Sequence, residues 1–122
     1  MDQLYHQLTV VRHTPALWRV SLANPPINLV DFETLRELYA LVLELEASTD
    51  AKVVVFESAD PDFFLAHWDT TASRKNDGVM PPLSWAEISL RIARLSVITI
   101  ALIRGRARGM GSEVALSFDM RF

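Results

Sequence analysis

One stretch constrains the fold more than any other. A nearly unbroken apolar run, Val97 to Ile103, leads within two residues into Gly105–Gly111, which holds three of the four glycines in the chain. The apolar run is rich in β-branched residues and reads as a strand buried on both faces. Ser112 then reads as the start of a short helix, with Glu113 in its first turn and Val114, Leu116 and Phe118 behind it. A strand, a Gly-rich turn and a helix N-terminus present backbone N–H groups that favour anions and developing oxyanions. An acid at that point can move protons beside a held carbonyl. The bland alternative is an ordinary strand–turn–helix connection whose Glu113 complements the helix dipole. Neither GxxxxGK[ST] nor GxGxxG is present, so these are not the usual phosphate- or dinucleotide-binding turns.

The chain has 122 residues, which suits a single domain. Half of its residues are hydrophobic and the net charge is −3, so composition gives no reason to expect nucleic acid or an anionic membrane as partner. There is no cysteine, which excludes disulfides and thiolate metal sites. MDQLYHQLTVVRH lacks the apolar core of a signal peptide, and no run is long enough to span a bilayer. A cytoplasmic protein is the expectation.

Along the chain, Leu8–Val11 and Leu17–Leu22 read as a hairpin; Trp18, Val20 and Leu22 alternate with Arg19 and Ser21. His6 and His13 sit near its ends and are most simply solvated. Asn24–Asn28 is a rigid loop with two prolines. Asp31 is placed to cap a helix over Phe32–Ala47, whose Phe32, Leu35, Leu38, Tyr39, Val42 and Leu45 share a face. Its glutamates, Glu33, Glu37, Glu44 and Glu46, read as the solvated side. Lys52–Phe56 is a compact strand, so strand, helix and strand predict a right-handed parallel crossover.

Phe63 to Asp69 follows a polar turn, and consecutive aromatics with a His and an Asp suggest a pocket wall beyond a strand end. Phe63 and Phe64 fit the core better; His67 and Asp69 fit core or pocket equally. Thr70–Pro82 reads as a long irregular loop, with Arg74 and Lys75 able to meet a phosphate. Ser84 is placed to cap a helix over Trp85–Leu95. Arg104, Arg106 and Arg108 alternate along the Gly-rich turn. Phe122 closes the chain directly after the last helix, which reads as a fold cut rather than finished.

Gly105-x-Ala107-x-Gly109-Met110-Gly111-x-Glu113, then Ala115-Leu116 and Asp119-x-Arg121, resembles the signature of the crotonase (enoyl-CoA hydratase/isomerase) superfamily. Val20–Asn28, Lys52–Val55 and Phe64–Asp69 are similar to three earlier segments of that family. The resemblance covers nearly the whole chain. It implies an α/β crotonase/ClpP-like ββα spiral core, present as an N-terminal portion: residues 1–122 would form one partial domain. It implies an acyl-CoA thioester substrate, with CoA part of the substrate, no separate cofactor and no metal.

By the same resemblance, Ala66 and Met110 would offer the backbone N–H groups of an oxyanion hole. Glu113 would be the acid/base. His67, Trp68, Asp69, Gly109 and Gly111 would line the substrate site, and the assembly would be a trimer or hexamer. The family's second acid lies beyond the matched region. His67 and Met110 stand where the family has glycine, which would narrow the thioester site. A non-catalytic chain that binds an acyl-CoA or a partner subunit is the alternative, and a mononucleotide-binding βαβ domain is a more distant one.

Overall fold

The computed structural model describes residues 5–71 and 84–122. The expected loop Thr70–Pro82, with Arg74 and Lys75, therefore lies almost wholly outside the described residues.

The two N-terminal runs form the expected hairpin. Strand β1 (Leu8–Arg12) pairs antiparallel with β2 (Leu17–Leu22), in register from Leu8 opposite Leu22 to Arg12 opposite Trp18. Helix α1 (Phe32–Ala47) then crosses over to β3 (Val53–Ser58), which lies parallel to β2. Asp31 caps α1 as expected. Its carboxylate accepts the Thr34 N–H at 3.0 Å, and the Thr34 hydroxyl accepts the Asp31 N–H at 3.1 Å.

After the short strand β4 (Phe63–Leu65), helix α2 (Trp85–Ala93) is capped by Ser84 and leads to β5 (Ile98–Ala101). Strand β6 (Arg106–Ala107), helix α3 (Met110–Ser117) and strand β7 (Met120–Arg121) complete the chain. The main sheet runs β1-β2-β3-β5-β7 and is parallel except at β1; β4 and β6 form a separate parallel pair.

Register explains the core. Trp18, Val54 and Thr99 share one row across β2, β3 and β5; Val20, Phe56 and Ala101 share another. All six are buried at 3% exposure or less. Side chains alternate across a sheet, so the intervening rows point the other way. That outer face is only half covered: Arg19 is exposed, Val55 and Ile100 are half-buried, and Ile98 is 43% exposed. The expectation that the β5 run is buried on both faces is thus corrected: helices cover one face of this sheet, and β5 carries polar Thr99 inward. Asp119 accepts the Thr99 N–H and hydroxyl, which satisfies that buried group. The Phe118 ring stacks on Phe56 with centroids 4.2 Å apart.

The glutamates of α1 are not all solvated. Glu37 is fully buried (0% exposed), and its carboxylate accepts the backbone N–H groups of His6, Gln7 and Leu8 at 2.8 to 3.1 Å. Thr34, Glu37 and Leu41 fall at three- and four-residue steps and are all buried, so the buried arc of α1 is wider than its apolar stripe. Burial pushes the Glu37 carboxyl above the usual carboxylate range, although the three N–H groups pull the other way. Half-buried next to it, Glu33 is held low by the Arg36 guanidinium.

Candidate functional site

Strand β4 and the Gly-rich turn are joined along their length. Arg106 N–H donates to the Asp62 carbonyl at 2.9 Å, Arg108 N–H to Leu65 at 3.1 Å, and Gly111 N–H to Ala66 at 3.0 Å. These bonds dock the start of α3 against the residues that leave β4. The expected helix exists but starts earlier than Ser112. Gly109 is its N-cap and Met110 its first residue; Glu113 lies in the first turn as expected.

Two glycines are structural requirements. Gly109 has φ of 53°, a left-handed value that is costly for residues with a Cβ, and a Cβ there would lie 3.3 Å from that of His67. At Gly111 a Cβ would overlap the carbonyls of Leu65 and Ala66. Glycine at 111 is what permits α3 to meet the backbone of β4.

The direction of each backbone N–H decides what the site can bind. Ala66 N–H donates to the Asn28 carbonyl at 2.8 Å. It is therefore not open to a ligand, and the expectation that Ala66 supplies an oxyanion donor is corrected. The next residues pair with Val30: its N–H donates to the His67 carbonyl at 3.1 Å, and Asp69 N–H donates to its carbonyl at 2.8 Å. His67 carbonyl and Asp69 N–H thus face Val30, so the Trp68 N–H between them faces away. That is the side on which the Ala66 carbonyl meets the Gly111 N–H of α3. Among the described residues, neither Trp68 N–H nor Met110 N–H has an acceptor. Sequence reasoning put Trp68 on the wall of the site and did not single out its N–H as a donor, because an N–H direction depends on the strand it pairs with.

The side chains complete the picture. Trp68 is half-buried, with its ring edge-on to Phe32 at 5.0 Å. The Asp69 carboxylate accepts the N–H and hydroxyl of Thr71 at 3.0 and 2.8 Å. His67 is exposed and lies beside Gly109. Glu113 is exposed, one helical turn beyond Gly109, and its own N–H donates to the Gly109 carbonyl. The structure therefore brings His67, Trp68, Gly109, Met110, Gly111 and Glu113 to one place, with Asp69 following directly. Phe64 is core, as expected, and Phe63 is half-buried beneath the Arg106 guanidinium.

Beside the Asn24–Asn28 loop, a cleft of about 220 Å³ is lined by Ala23, Pro25, Asn28, Ala59, Asp60 and Pro61. It lies at the carboxyl ends of β2 and β3, where parallel sheets place ligands. A wider cleft of about 380 Å³, lined by Arg12, Trp18, Glu44 and residues 47–50, lies at the opposite end of the sheet. Among the described residues, no group of three His, Asp or Glu is placed to hold a metal ion. No helix among them is long and apolar enough to cross a membrane.

Residues 12–122 match the enoyl-CoA hydratase/isomerase family model. An ethylmalonyl-CoA decarboxylase from Danio rerio is 32% identical over 84% of this chain, which spans 35% of that protein. The structure of a protein assigned as an enoyl-CoA hydratase from Streptomyces avermitilis matches the whole chain with a TM-score of 0.82 and 35% identity. An enoyl-CoA hydratase from Geobacillus kaustophilus matches 95% of the chain with a TM-score of 0.76 and 30% identity. The chain spans 46% and 45% of those two proteins. These matches carry the crotonase fold for an N-terminal portion of it.

Proposed function

The chain belongs to the enoyl-CoA hydratase/isomerase family, and from that premise we propose that it binds an acyl-CoA thioester and stabilises an enolate-like intermediate. The thioester oxygen accepts the N–H groups of Met110 and Trp68. Glu113 takes or returns a proton at the carbon beside the carbonyl. When that proton leaves, its electron pair moves onto the thioester oxygen, and the two donors meet charge that grows only as the reaction proceeds. What supports this reading is that Trp68 N–H and Met110 N–H, on segments joined by the bond from Gly111 N–H to the Ala66 carbonyl, have no acceptor among the described residues, with Glu113 in the first turn of α3.

His67, Trp68 and Asp69 form one wall of the site, and Gly109 and Gly111 let the thioester approach the α3 backbone. The cleft beside Asn28 would take the pantetheine arm or adenine of CoA. A cytoplasmic homo-oligomer, trimer or hexamer, completes the reading; exposed Leu116, Met120 and Phe122 offer apolar surface for such contacts. The name of the Danio rerio relative supports a carboxylated thioester as one substrate class. Loss of carbon dioxide from such a thioester also leaves an enolate, with no proton to abstract.

The test is a titration with a short acyl-CoA, with free CoA as control. Acyl-dependent binding is expected, and Met110→Pro should remove it. Proline is tolerated at the first residue of a helix but has no N–H. Equal binding of acyl-CoA and free CoA would overturn the oxyanion reading. Exchange of the α-proton of an unsubstituted acyl-CoA with solvent deuterium should be abolished by Glu113→Gln, whereas decarboxylation of a malonyl-type thioester should survive it.

A further inference from the structure

Asn28 bonds to segments at the ends of β2 and β3 and within β4, and no chemistry has been assigned to it. It is 1% exposed and has φ of 58°, in the left-handed region that asparagine tolerates better than most residues. Its side-chain oxygen accepts the Asn24 N–H at 2.8 Å. Its side-chain nitrogen lies 3.2 Å from the Leu22 carbonyl, 2.8 Å from the Ser58 hydroxyl and 3.1 Å from the Phe64 carbonyl. Those three acceptors end β2, end β3 and sit within β4. The Asn28 carbonyl then takes the Ala66 N–H.

Two residues later, Val30 binds His67 and Asp69 through its own backbone. The 28–30 segment thus works as a template strand. It fixes which N–H groups of residues 66–69 turn inward and so which one turns out toward α3.

We propose that Asn28 is a positioning residue for the oxyanion hole: it holds the 66–68 segment so that Trp68 N–H, not Ala66 N–H, faces the thioester oxygen. This rests on the thioester reading above. Asn28 touches no reacting atom. Its effect is on the direction of one donor, and the side-chain contacts carry that effect because a buried amide whose two N–H groups are surrounded by acceptors on three elements cannot turn without leaving polar groups unpaired.

The measurement is the infrared C=O stretch of a bound acyl-CoA carrying a 13C-labelled thioester carbonyl, with binding constants for that ligand and for free CoA. In the unaltered protein the stretch is expected to shift to lower frequency on binding. Asn28→Gly keeps the left-handed backbone and the carbonyl that binds Ala66, and loses only the side chain. Because Asn28 also lines the cleft proposed for CoA, the ratio of acyl-CoA to free-CoA affinity is the readout: it should fall at least about tenfold, and the carbonyl shift should be lost. If Asn28→Gly does not fold, Ser58→Ala carries the test. It removes one acceptor of the Asn28 amide and should reduce the shift in part. An undiminished shift in the folded variant overturns the assignment of Asn28 while the thioester reading stands. No shift in the unaltered protein overturns both.

Discussion

Two clusters of backbone N–H groups in this molecule meet opposite fates. At the N-terminal edge, the N–H groups of His6, Gln7 and Leu8 converge on the buried carboxylate of Glu37. At the start of α3, Met110 N–H and Trp68 N–H have no acceptor among the described residues. Both clusters are made by chain segments at the borders of regular structure. The first is filled from within and is buried. The second lies beside exposed His67, Gly109 and Glu113. An anion supplied by the protein itself turns such a cluster into a structural anchor; left open, the same chemistry becomes a place for a ligand's oxygen.

The comparison can be broken by mutation, and the largest effect on stability belongs to the filled cluster. Glu37→Leu would leave three N–H groups, one of them buried, without their acceptor, and a loss of about 3 kcal/mol is expected from denaturant melts. Glu37→Gln keeps an acceptor oxygen and should cost less than half of that. If the two variants are equally stable, the carboxylate is not an anchor.

Gly111→Ala comes next. Its Cβ would overlap backbone carbonyls that cannot move aside as a side chain tip could, so a loss of about 2–3 kcal/mol is expected, with α3 pushed off β4. Acyl-CoA binding should fall with it, whereas Glu37→Gln should leave binding intact.

Acidity separates the anchor further. Burial raises the Glu37 carboxyl in the folded chain, so the unfolded chain ionises first as pH rises. Stability contributed by this group therefore falls as pH rises from its unfolded value to its raised folded value. Glu33 is lowered by Arg36 and acts in the opposite sense, losing its contribution as pH falls below the ordinary carboxylate range. The difference between the unaltered chain and Glu37→Gln should shrink over the first window; a flat difference would show that the carboxyl is ionised throughout.

The smallest stability effects are expected where charge is solvated or an N–H is already free. Met110→Pro should change stability by less than about 1 kcal/mol while removing acyl-dependent binding. Arg19→Ala breaks an exposed ion pair with Glu57 and should change stability by about 0.5 kcal/mol or less.

Much of the fold is legible locally. The hairpin, the α1 span with its Asp31 cap, the Ser84 cap and the parallel crossover all follow from periodicity and cap chemistry, which act over a few residues. The Gly109–Glu113 motif was legible for the same reason. Glu37 was not, because its neighbours at three and four residues, Thr34 and Leu41, mark a buried row only once β1 lies on that face. A carboxylate on a helix ordinarily faces solvent, and what keeps this one inside is a segment about 30 residues away in sequence.

The choice between Ala66 and Trp68 shows the limit most sharply. Both residues follow β4, both carry an N–H, and nothing in the FLAHWD run distinguishes them. The pairing of residues 66–69 with Asn28 and Val30 decides, since one strand partner consumes alternate N–H groups and leaves the next facing out. By itself, then, the sequence determined the hairpin, the capped helices α1 and α2, the strands β3 and β5, the Gly-rich turn before α3 and the acid in its first turn, because each rests on contacts between near neighbours in the chain; the short strands β4, β6 and β7 exist only through pairing with other segments. Only the tertiary structure decided which N–H groups are satisfied and which stay open, because a hydrogen-bond partner brought from 30 or more residues away is a property of packing and not of any local pattern.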